Sequence, residues 1–558
     1  MSTPARAERG PTLVLALSMF LTGACGLVAQ YVLSTVSTYI LGNSIEQFSV
    51  TIALMLLMMG VAGAVQSLIG DRGLLGKFVV TEALLALLSG FAPIALYAAY
   101  AHLPDHFVVV QVGLVLVTGF LIGIEIPMAI RINAQYAPSL KGNIASIWSL
   151  DYVGSFVGAL VWTYFLLRTV SIDRIGFTVG FVNLAVGALT LAYFARRGAM
   201  RRWPFVAAGL GLVGVAMAFG LQRAPVWTDG IERSLYDEPI VHAETTPYQR
   251  IVVTQDRKLD DTRLYLNGNL QFSSLDEAIY HEHLVHPAML LAARRSRVLI
   301  LGGGDGLALR EVLKYPEVRE VTLVDLDPAM IRLAKQLPTL RALNGGAFDD
   351  ARVTSQLPAG LTNLGFRRPV RQFVRETAPG QPPVTQEVAR VEVFTVDADR
   401  FLRAPGGNWD VLIVDLPDPN SVELAKLYSR EFYRKARGAL APGGVMVVQA
   451  TSPYHARETF LCVKRTVEAA GFATVPTHDN VPSFGDWGWL LASPDRDLRP
   501  RLAALPEIPI ATRYLTLDVL QRATAFGRDA LKSNHQDVST LMRPIVLDRY
   551  LQEGWKVD

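Results

Sequence analysis

The stretch Arg297-Val-Leu-Ile-Leu-Gly-Gly-Gly-Asp-Gly-Leu307 joins a short apolar run to a cluster of glycines and then to helix-forming residues. That order reads as a buried strand, a tight turn and a helix, and Gly302, Gly304 and Gly306 allow a backbone to approach a ligand closely. A tight strand–helix turn needs no ligand, so the neighbouring segments decide. A second apolar run, Glu320-Val-Thr-Leu-Val324, ends on Asp325, about twenty residues beyond the glycines, where a carboxylate can hold both hydroxyls of a ribose. A third run, Val391–Val396, ends on Asp397; a fourth, Val411–Val414, ends on Asp415, with Asp418 shortly after; 444–449 is a fifth candidate. Any one aspartate could be a helix N-cap. Three at successive strand ends, with Asp418 just past the last, predict a parallel α/β sheet of Rossmann-like type with its site along the C-terminal edge. The turn lacks the pattern of a pyrophosphate seated on a helix, so an adenosyl sulfonium, which has no phosphates, suits it better than NAD.

Upstream, Arg263–Phe272 reads as a hairpin turning at Asn267-Gly268, the dipeptide of type I′ turns. A small antiparallel domain is expected over 231–275 and a helix over 276–294. The Rossmann-like domain then covers 276–500, with an insertion at about 353–390, and 501–558 is a C-terminal extension.

The first 222 residues are a different polymer, so the 51% hydrophobic content of the whole chain averages two unlike halves. Apolar windows long enough to cross a bilayer fall near 12–40, 47–69, 78–100, 107–130, 144–167, 174–195 and 204–221, giving an all-α polytopic domain of about seven helices. Arg6, Arg9, Arg72, Lys77, Arg131, Lys141 and the Arg196, Arg197, Arg201, Arg202 cluster lie on one side of these windows. The positive-inside rule puts that side, with the N-terminus, in the cytoplasm. Seven crossings would then leave the rest of the chain outside. Supply of a cytosolic nucleoside favours the cytoplasmic face, and that requires one window not to cross; 204–221 is the shortest. Glu82, Glu125 and Asp151 lie in or near spans, where a charge is costly and marks a path or a relay unless it caps a helix near Arg131 or Arg174. Gly154 and Gly158 form a helix-packing pair.

A net charge of +3 gives no argument for nucleic acid, and the two cysteines, Cys25 and Cys462, fall in different halves and predict no disulfide. His281, His283 and His286 suggest a metal cluster, but position 285 is Val, so the His-Glu-x-x-His spacing fails and no metal is expected.

Taken in order, Tyr248-Gln249, Leu266–Gln271, Asp276-Glu-Ala-Ile-Tyr-His-Glu282, Leu301–Gly306, Val324-Asp-Leu-Asp327, Val396-Asp-Ala398, Asp415-Leu-Pro-Asp-Pro419, Leu427–Tyr433 and Pro482–Trp489 resemble the motifs of the spermidine synthase (polyamine aminopropyltransferase) family, over about 245–495. The membrane half resembles a bacterial branch with fused transmembrane helices, which implies a multi-pass protein of the plasma membrane. The resemblance implies decarboxylated S-adenosylmethionine as co-substrate, with no permanently bound cofactor, and a small amine as acceptor. Partners implied are that amine, the bilayer and a second copy of the chain.

Carried over, Gly302, Gly304 and Gly306 shape the donor site with Gln249 and Ala398. Asp325 takes the ribose hydroxyls, Asp397 the adenine amino group and Asp305 the ammonium of the aminopropyl arm. Asp415, helped by Tyr280, deprotonates the acceptor, while Gln271, His281, Asp418 and Val481 line its pocket. The chain departs from the family in having Asp at 325 rather than Glu, Leu307 for Gly, Leu416 and Pro417 for serines, and Val481 for Tyr. Arg352, Arg367, Arg368, Arg371 and Arg375 gather at the insertion, either as a solvated loop or as a basic surface for lipid headgroups. The last two features put plain putrescine in doubt and set an amine presented near the membrane surface beside an ordinary soluble polyamine as the acceptor. Two rival readings stand beside transfer of an aminopropyl group: a methyltransferase using intact S-adenosylmethionine, and a non-catalytic polyamine or nucleoside sensor or transporter.

Overall fold

The computed structural model describes residues 9–41, 44–137, 139–350, 390–403 and 407–553. Arg6 and the expected insertion up to residue 389, with its arginines, lie outside the described residues. The chain divides into two compact units, Met1–Asp237 and Glu238–Asp558.

The first unit is built from seven long helices: α1 (Arg9–Leu41), α2 (Ser44–Val65), α3 (Leu74–His102), α4 (Phe107–Asn133), α5 (Leu140–Val161), α6 (Ile172–Arg196) and α7 (Trp203–Arg233). Each is long and apolar enough to cross a membrane, as seven separate apolar windows require. The last window, expected to stop near 221, belongs to a helix that runs on to Arg233. Its shortness is therefore no ground for leaving it out of the count. Gly154 and Gly158 act as expected: a Cβ on Gly154 would stand 1.9 Å from the Phe20 carbonyl oxygen, and one on Gly158 2.6 Å from that of Ala24. Only glycine lets α5 approach α1 so closely. Arg131 pairs with Asp71 and donates to the Gln66 carbonyl at 3.0 Å and to the Ile69 carbonyl at 2.6 Å. It thus holds the chain after α2 and does not pair with Glu125, so the reading of Glu125 as a helix cap against Arg131 is set aside.

The second unit contains two sheets. Strands β1 (Ile240–Thr245), β2 (Arg250–Asp256), β3 (Asp261–Leu266) and β4 (Asn269–Ser273) form an antiparallel sheet in sequential order. Its last turn has φ 51° at Asn267 and 80° at Gly268, the two positive values that a type I′ hairpin demands. The expected start at 231 is overrun by α7, and the sheet begins at Ile240. The larger sheet holds seven strands in the order β10-β11-β9-β8-β5-β6-β7. Its parallel members are β5 (Arg297–Gly302), β6 (Glu320–Asp325), β7 (Arg390–Thr395), β8 (Trp409–Asp415) and β9 (Leu440–Gln449). The antiparallel hairpin β10 (Ala473–Val481) and β11 (Gly485–Ser493), which carries the Pro482–Trp489 motif, extends it at one side.

Strand β5 lies between β6 and β8, so chain order reverses there, and ligands of open α/β sheets bind at that point on the carboxyl side. Val298, Leu299, Ile300 and Leu301 have no accessible surface, alternating between cores on the two faces; burial of each such side chain is worth about 1.5–3 kcal/mol. The small sheet packs through Ile251, Val253, Leu264 and Phe272 against Leu307, Met330 and Leu333. The extension after 500 belongs to the same unit: Ile545, Val546 and Leu547 join its core.

Candidate active site

The glycine turn is shaped by what lies against it. Gly302 pairs in register with Asp415, has φ +88°, and a Cβ there would fall 1.8 Å from the Asp415 carbonyl oxygen. Gly304 donates its N–H to Asp325 Oδ2 at 2.9 Å, and a Cβ on Gly304 would meet that same oxygen at 2.5 Å. The other oxygen of Asp325 accepts the Asp327 N–H at 2.8 Å. Burial raises the Asp325 carboxyl to about 6 despite these two donors.

Asp305 follows in the turn, bonded to the Leu307 N–H at 2.8 Å and raised above the usual carboxylate range by burial. Asp415 ends β8 and accepts a hydrogen bond from the Tyr280 hydroxyl at 2.8 Å. Its carboxyl is pushed up to about 6, first by burial and then by the charge of Asp305, while His281 works the other way. Asp418 stands in the next loop, where it accepts from Gln449 Nε2 at 3.2 Å and Thr451 Oγ1 at 3.3 Å. Asp325 and Asp415 therefore each sense the charge of Asp305 at the β5/β6/β8 edge, and Asp418 shares Tyr280 as a neighbour with Asp415.

Helix α8 (Glu277–Leu291) supplies the wall opposite the turn. Tyr280 is almost fully buried, with Phe484, Trp487 and Trp489 around its ring at centroid distances of 6.1, 6.3 and 5.7 Å. These rings come from the β10–β11 hairpin. His281 bonds through Nδ1 to the Glu277 carboxylate at 3.1 Å. Burial opposes a charge on this imidazole, but Glu277, with Asp305 and Asp415 behind it, outweighs that and lifts it to about 9. It is an imidazolium at neutral pH. His283 pairs with Asp479 at 3.0 Å and His286 with Glu311 at 2.9 Å. Glu282, His286 and Glu311 do bring potential metal-binding atoms within 4.8 Å of one another. Glu282 accepts the N–H groups of Arg513, Tyr514 and Leu515, and Glu311 pairs with Arg310 and Lys314, while His286 Nε2 faces Glu311. This is a joint between α8 and the C-terminal extension.

Other predicted residues stand apart from the acid cluster. Asp397 caps the following turn through the Arg400 N–H at 2.9 Å and pairs with Lys426 at 2.6 Å, with Ala398 buried beside it. Gln249 donates to Asp327 at 3.1 Å, one step removed from Asp325. Gln271 donates to the carbonyl of Asn269 on its own strand at 3.0 Å. Val481 has no accessible surface and sits in the core with Phe484 and Trp487; it is packing, and the expectation that it faces an acceptor is corrected. Leu307 likewise fills the interface with the small sheet and does not intrude on the turn.

Sequence reasoning passed over four residues that hold the site. Glu277 bonds His281, Arg310 and Arg513. Asp327 accepts from Thr246 at 2.7 Å as well as from Gln249, tying the small sheet to the end of β6. Gln449 and Tyr428 pin the loop after Asp415: Gln449 Nε2 reaches the Leu416 carbonyl and the Tyr428 hydroxyl, both at 2.6 Å, and Tyr428 donates to the Pro417 carbonyl at 2.9 Å. Three of the four stand inside the quoted motifs, so their presence was visible while their partners were not.

The Spermine/spermidine synthase domain model matches residues 277–364 and 369–500. Polyamine aminopropyltransferase 1 of Streptomyces coelicolor is 41% identical, the match covering 98% of this chain and 96% of that protein. The polyamine aminopropyltransferase of Oceanobacillus iheyensis is 36% identical, covering 95% of each chain, and that of Mycobacterium tuberculosis is 35% identical, covering 97% and 96%. Among solved structures, spermidine synthase in complex with the transition-state analogue AdoDATO is 23% identical at a TM-score of 0.43, covering 52% of this chain and 88% of that one. Since the likeness to the full-length relatives runs through the apolar helices as well as the sheet, the chain belongs to the spermine/spermidine synthase family, in its branch of polyamine aminopropyltransferases with an added N-terminal helical region.

Proposed function

We propose that the protein moves a 3-aminopropyl group from decarboxylated S-adenosylmethionine to a polyamine acceptor, releasing methylthioadenosine. The observation that carries this reading is the meeting of Asp305, Asp415 and Asp418 at the switch point, with Tyr280 bonded to Asp415. Both substrates end in ammonium groups, and carboxylates suit them. The carboxylate of intact S-adenosylmethionine would be repelled by the same groups, which disfavours the methyltransferase reading.

In this reading Asp325 takes the ribose hydroxyls and Asp305 the ammonium of the donor arm. The acceptor nitrogen attacks the carbon bonded to sulfur, the C–S bond breaks with its electron pair left on sulfur, and the proton shed by nitrogen passes to Asp415. An alkylammonium is protonated near pH 10 and must give up a proton to act as nucleophile. A carboxylate raised to about 6 is a better base than an ordinary one and is still ionised at neutral pH. The hydroxyl of Tyr280 aims it. The imidazolium of His281 stabilises Asp305 and Asp415 as anions before either substrate arrives. Seven apolar helices support placement of the protein in a membrane, proposed to be the plasma membrane.

Incubation of the purified protein with either cofactor and a panel of amines, with mass spectrometry of the products, tests the proposal. Methylthioadenosine and an aminopropylated amine are expected. Release of S-adenosylhomocysteine would establish the methyltransferase reading, and tight binding without turnover the sensor reading.

A further inference from the structure

Among the described residues, three other than glycine have a positive φ: Asp260 at 52°, Asn267 at 51° and Thr451 at 62°. Asp and Asn visit this left-handed region readily, since a short polar side chain can bond locally. A β-branched residue there is strained, and such strain persists only where the surroundings over-determine it. Thr451 lies two residues past the end of β9, at the carboxyl edge of the larger sheet.

The surroundings do over-determine it. The Thr451 N–H donates to Gln449 Oε1 at 3.1 Å, and its carbonyl accepts the Gly488 N–H at 2.9 Å. The Gly488 carbonyl accepts the Ala450 N–H at 2.9 Å, and the Ser452 hydroxyl donates to the Asp486 carbonyl at 2.5 Å. Residues 450–452 are thus laced to β11. A Cβ on Gly488 would stand 3.0 Å from the Thr451 carbonyl oxygen and 2.5 Å from Phe460, which accounts for glycine at that place in the Pro482–Trp489 motif.

None of these bonds needs a threonine side chain. Glycine at 451 would make the same backbone bonds without strain. What threonine adds is a hydroxyl, which donates to Asp418 Oδ2 at 3.3 Å, while Gln449 Nε2 donates to Oδ1 at 3.2 Å. Asp418 therefore has a donor on each oxygen, from residues only 1% and 2% exposed, and is itself partly open to solvent. Each carboxylate oxygen has two lone pairs, so the open side can still accept an ammonium.

We propose that Thr451 is a positioning residue that sets the affinity for the acceptor amine. Its strained backbone holds the hydroxyl against Asp418, and Asp418, so aimed, grips an ammonium of the acceptor other than the nitrogen that Asp415 deprotonates. That the gripped group is an acceptor amine rests on the aminopropyl-transfer reading; the strain and the hydrogen bond do not. A grip made equally before and during reaction acts on KM and leaves kcat alone.

Acceptor kinetics on the full chain in detergent, with calorimetry of spermidine in the presence of methylthioadenosine, test this. T451G removes the hydroxyl and suits the left-handed backbone, so folding is retained. It should raise the acceptor KM and the spermidine Kd about three- to tenfold, the worth of one hydrogen bond, with kcat and methylthioadenosine affinity within about twofold. T451S keeps the hydroxyl and should restore both constants. Wild-type constants in T451G, equal impairment in T451S, or a parallel loss of methylthioadenosine binding would overturn the proposal. Turnover with a KM unmoved by T451G overturns this inference alone. Spermidine binding that depends on residue 451 without any turnover overturns the aminopropyl-transfer reading alone, and a wild-type protein that binds no amine overturns both.

Discussion

Acidic side chains are buried in both units, and their surroundings differ. At the sheet edge each carboxylate has donors: Asp325 accepts two backbone N–H groups, Asp415 a phenol, Asp418 an amide and a hydroxyl. Glu277, deeper still, has Arg310, Arg513 and His281. In the helical unit Glu82 and Glu125 have each other. An acid with donors keeps its charge on burial and can serve as a base or an ammonium clamp; an acid without them must take up a proton or a cation. The same residue type thus meets ready donors at the sheet edge and only a second carboxyl in the helical unit.

The comparison breaks most visibly at Asp415. Asp415→Asn should lower kcat by about 10²–10⁴ while donor binding, followed by calorimetry, stays close to wild type. A variant with near-normal turnover would show that the charge at the end of β8 is not the base.

Glu277 tests whether donors are what stabilise a buried acid here. Its carboxyl is held at about 2, because His281 and Arg310 outweigh the cost of burial. Glu277→Gln leaves Arg310 and His281 without their buried anion and should cost about 3–5 kcal/mol in denaturant unfolding. The folded value lies below the ordinary 4.5, so this stability is fully present above about 4.5 and is lost as pH falls toward 2. The Gln variant should lack that acid-sensitive component.

A smaller effect is expected at Tyr280. A hydrogen bond to a charged group is worth about 1.5–3 kcal/mol, and here it favours the ionised form of Asp415. With Asp415 at about 6, kcat/KM should fall as pH drops through 6, since the protonated form cannot accept the acceptor's proton. Tyr280→Phe should move that limb to higher pH. An unmoved limb would assign it to another group.

The least effect belongs to the other half of the comparison. Glu82→Gln, which keeps the side chain's size, should leave aminopropyl transfer in detergent within about twofold of wild type. A large fall in turnover would mean that the helical unit takes part in the chemistry.

Much of this was legible from one-dimensional pattern. Seven apolar windows specify seven helices because a bilayer-length helix satisfies its own backbone. Asn267-Gly268 specifies its turn because few other residues tolerate two successive positive φ values. The apolar runs ending in Asp325, Asp397 and Asp415 specify parallel strands with a carboxylate edge, because strand and helix signals alternate with short punctuation. Those features are local: each depends on residues a few positions apart.

What needed the tertiary structure was the choice of partner. Asp325 finds the Gly304 N–H, and Glu282 takes up the N–H groups of 513–515 more than two hundred residues away. Leu307 and Val481, which read as changes to a pocket, turn out to be core, because the small sheet and the β10–β11 hairpin cover them. Tyr280 owes its aromatic surroundings to that same hairpin, whose strands the sequence reading registered only as a motif. Spacing along a chain determines which face a side chain occupies, but a carboxyl's charge state depends on the donors that other elements bring to that face, and those are set only when the elements pack.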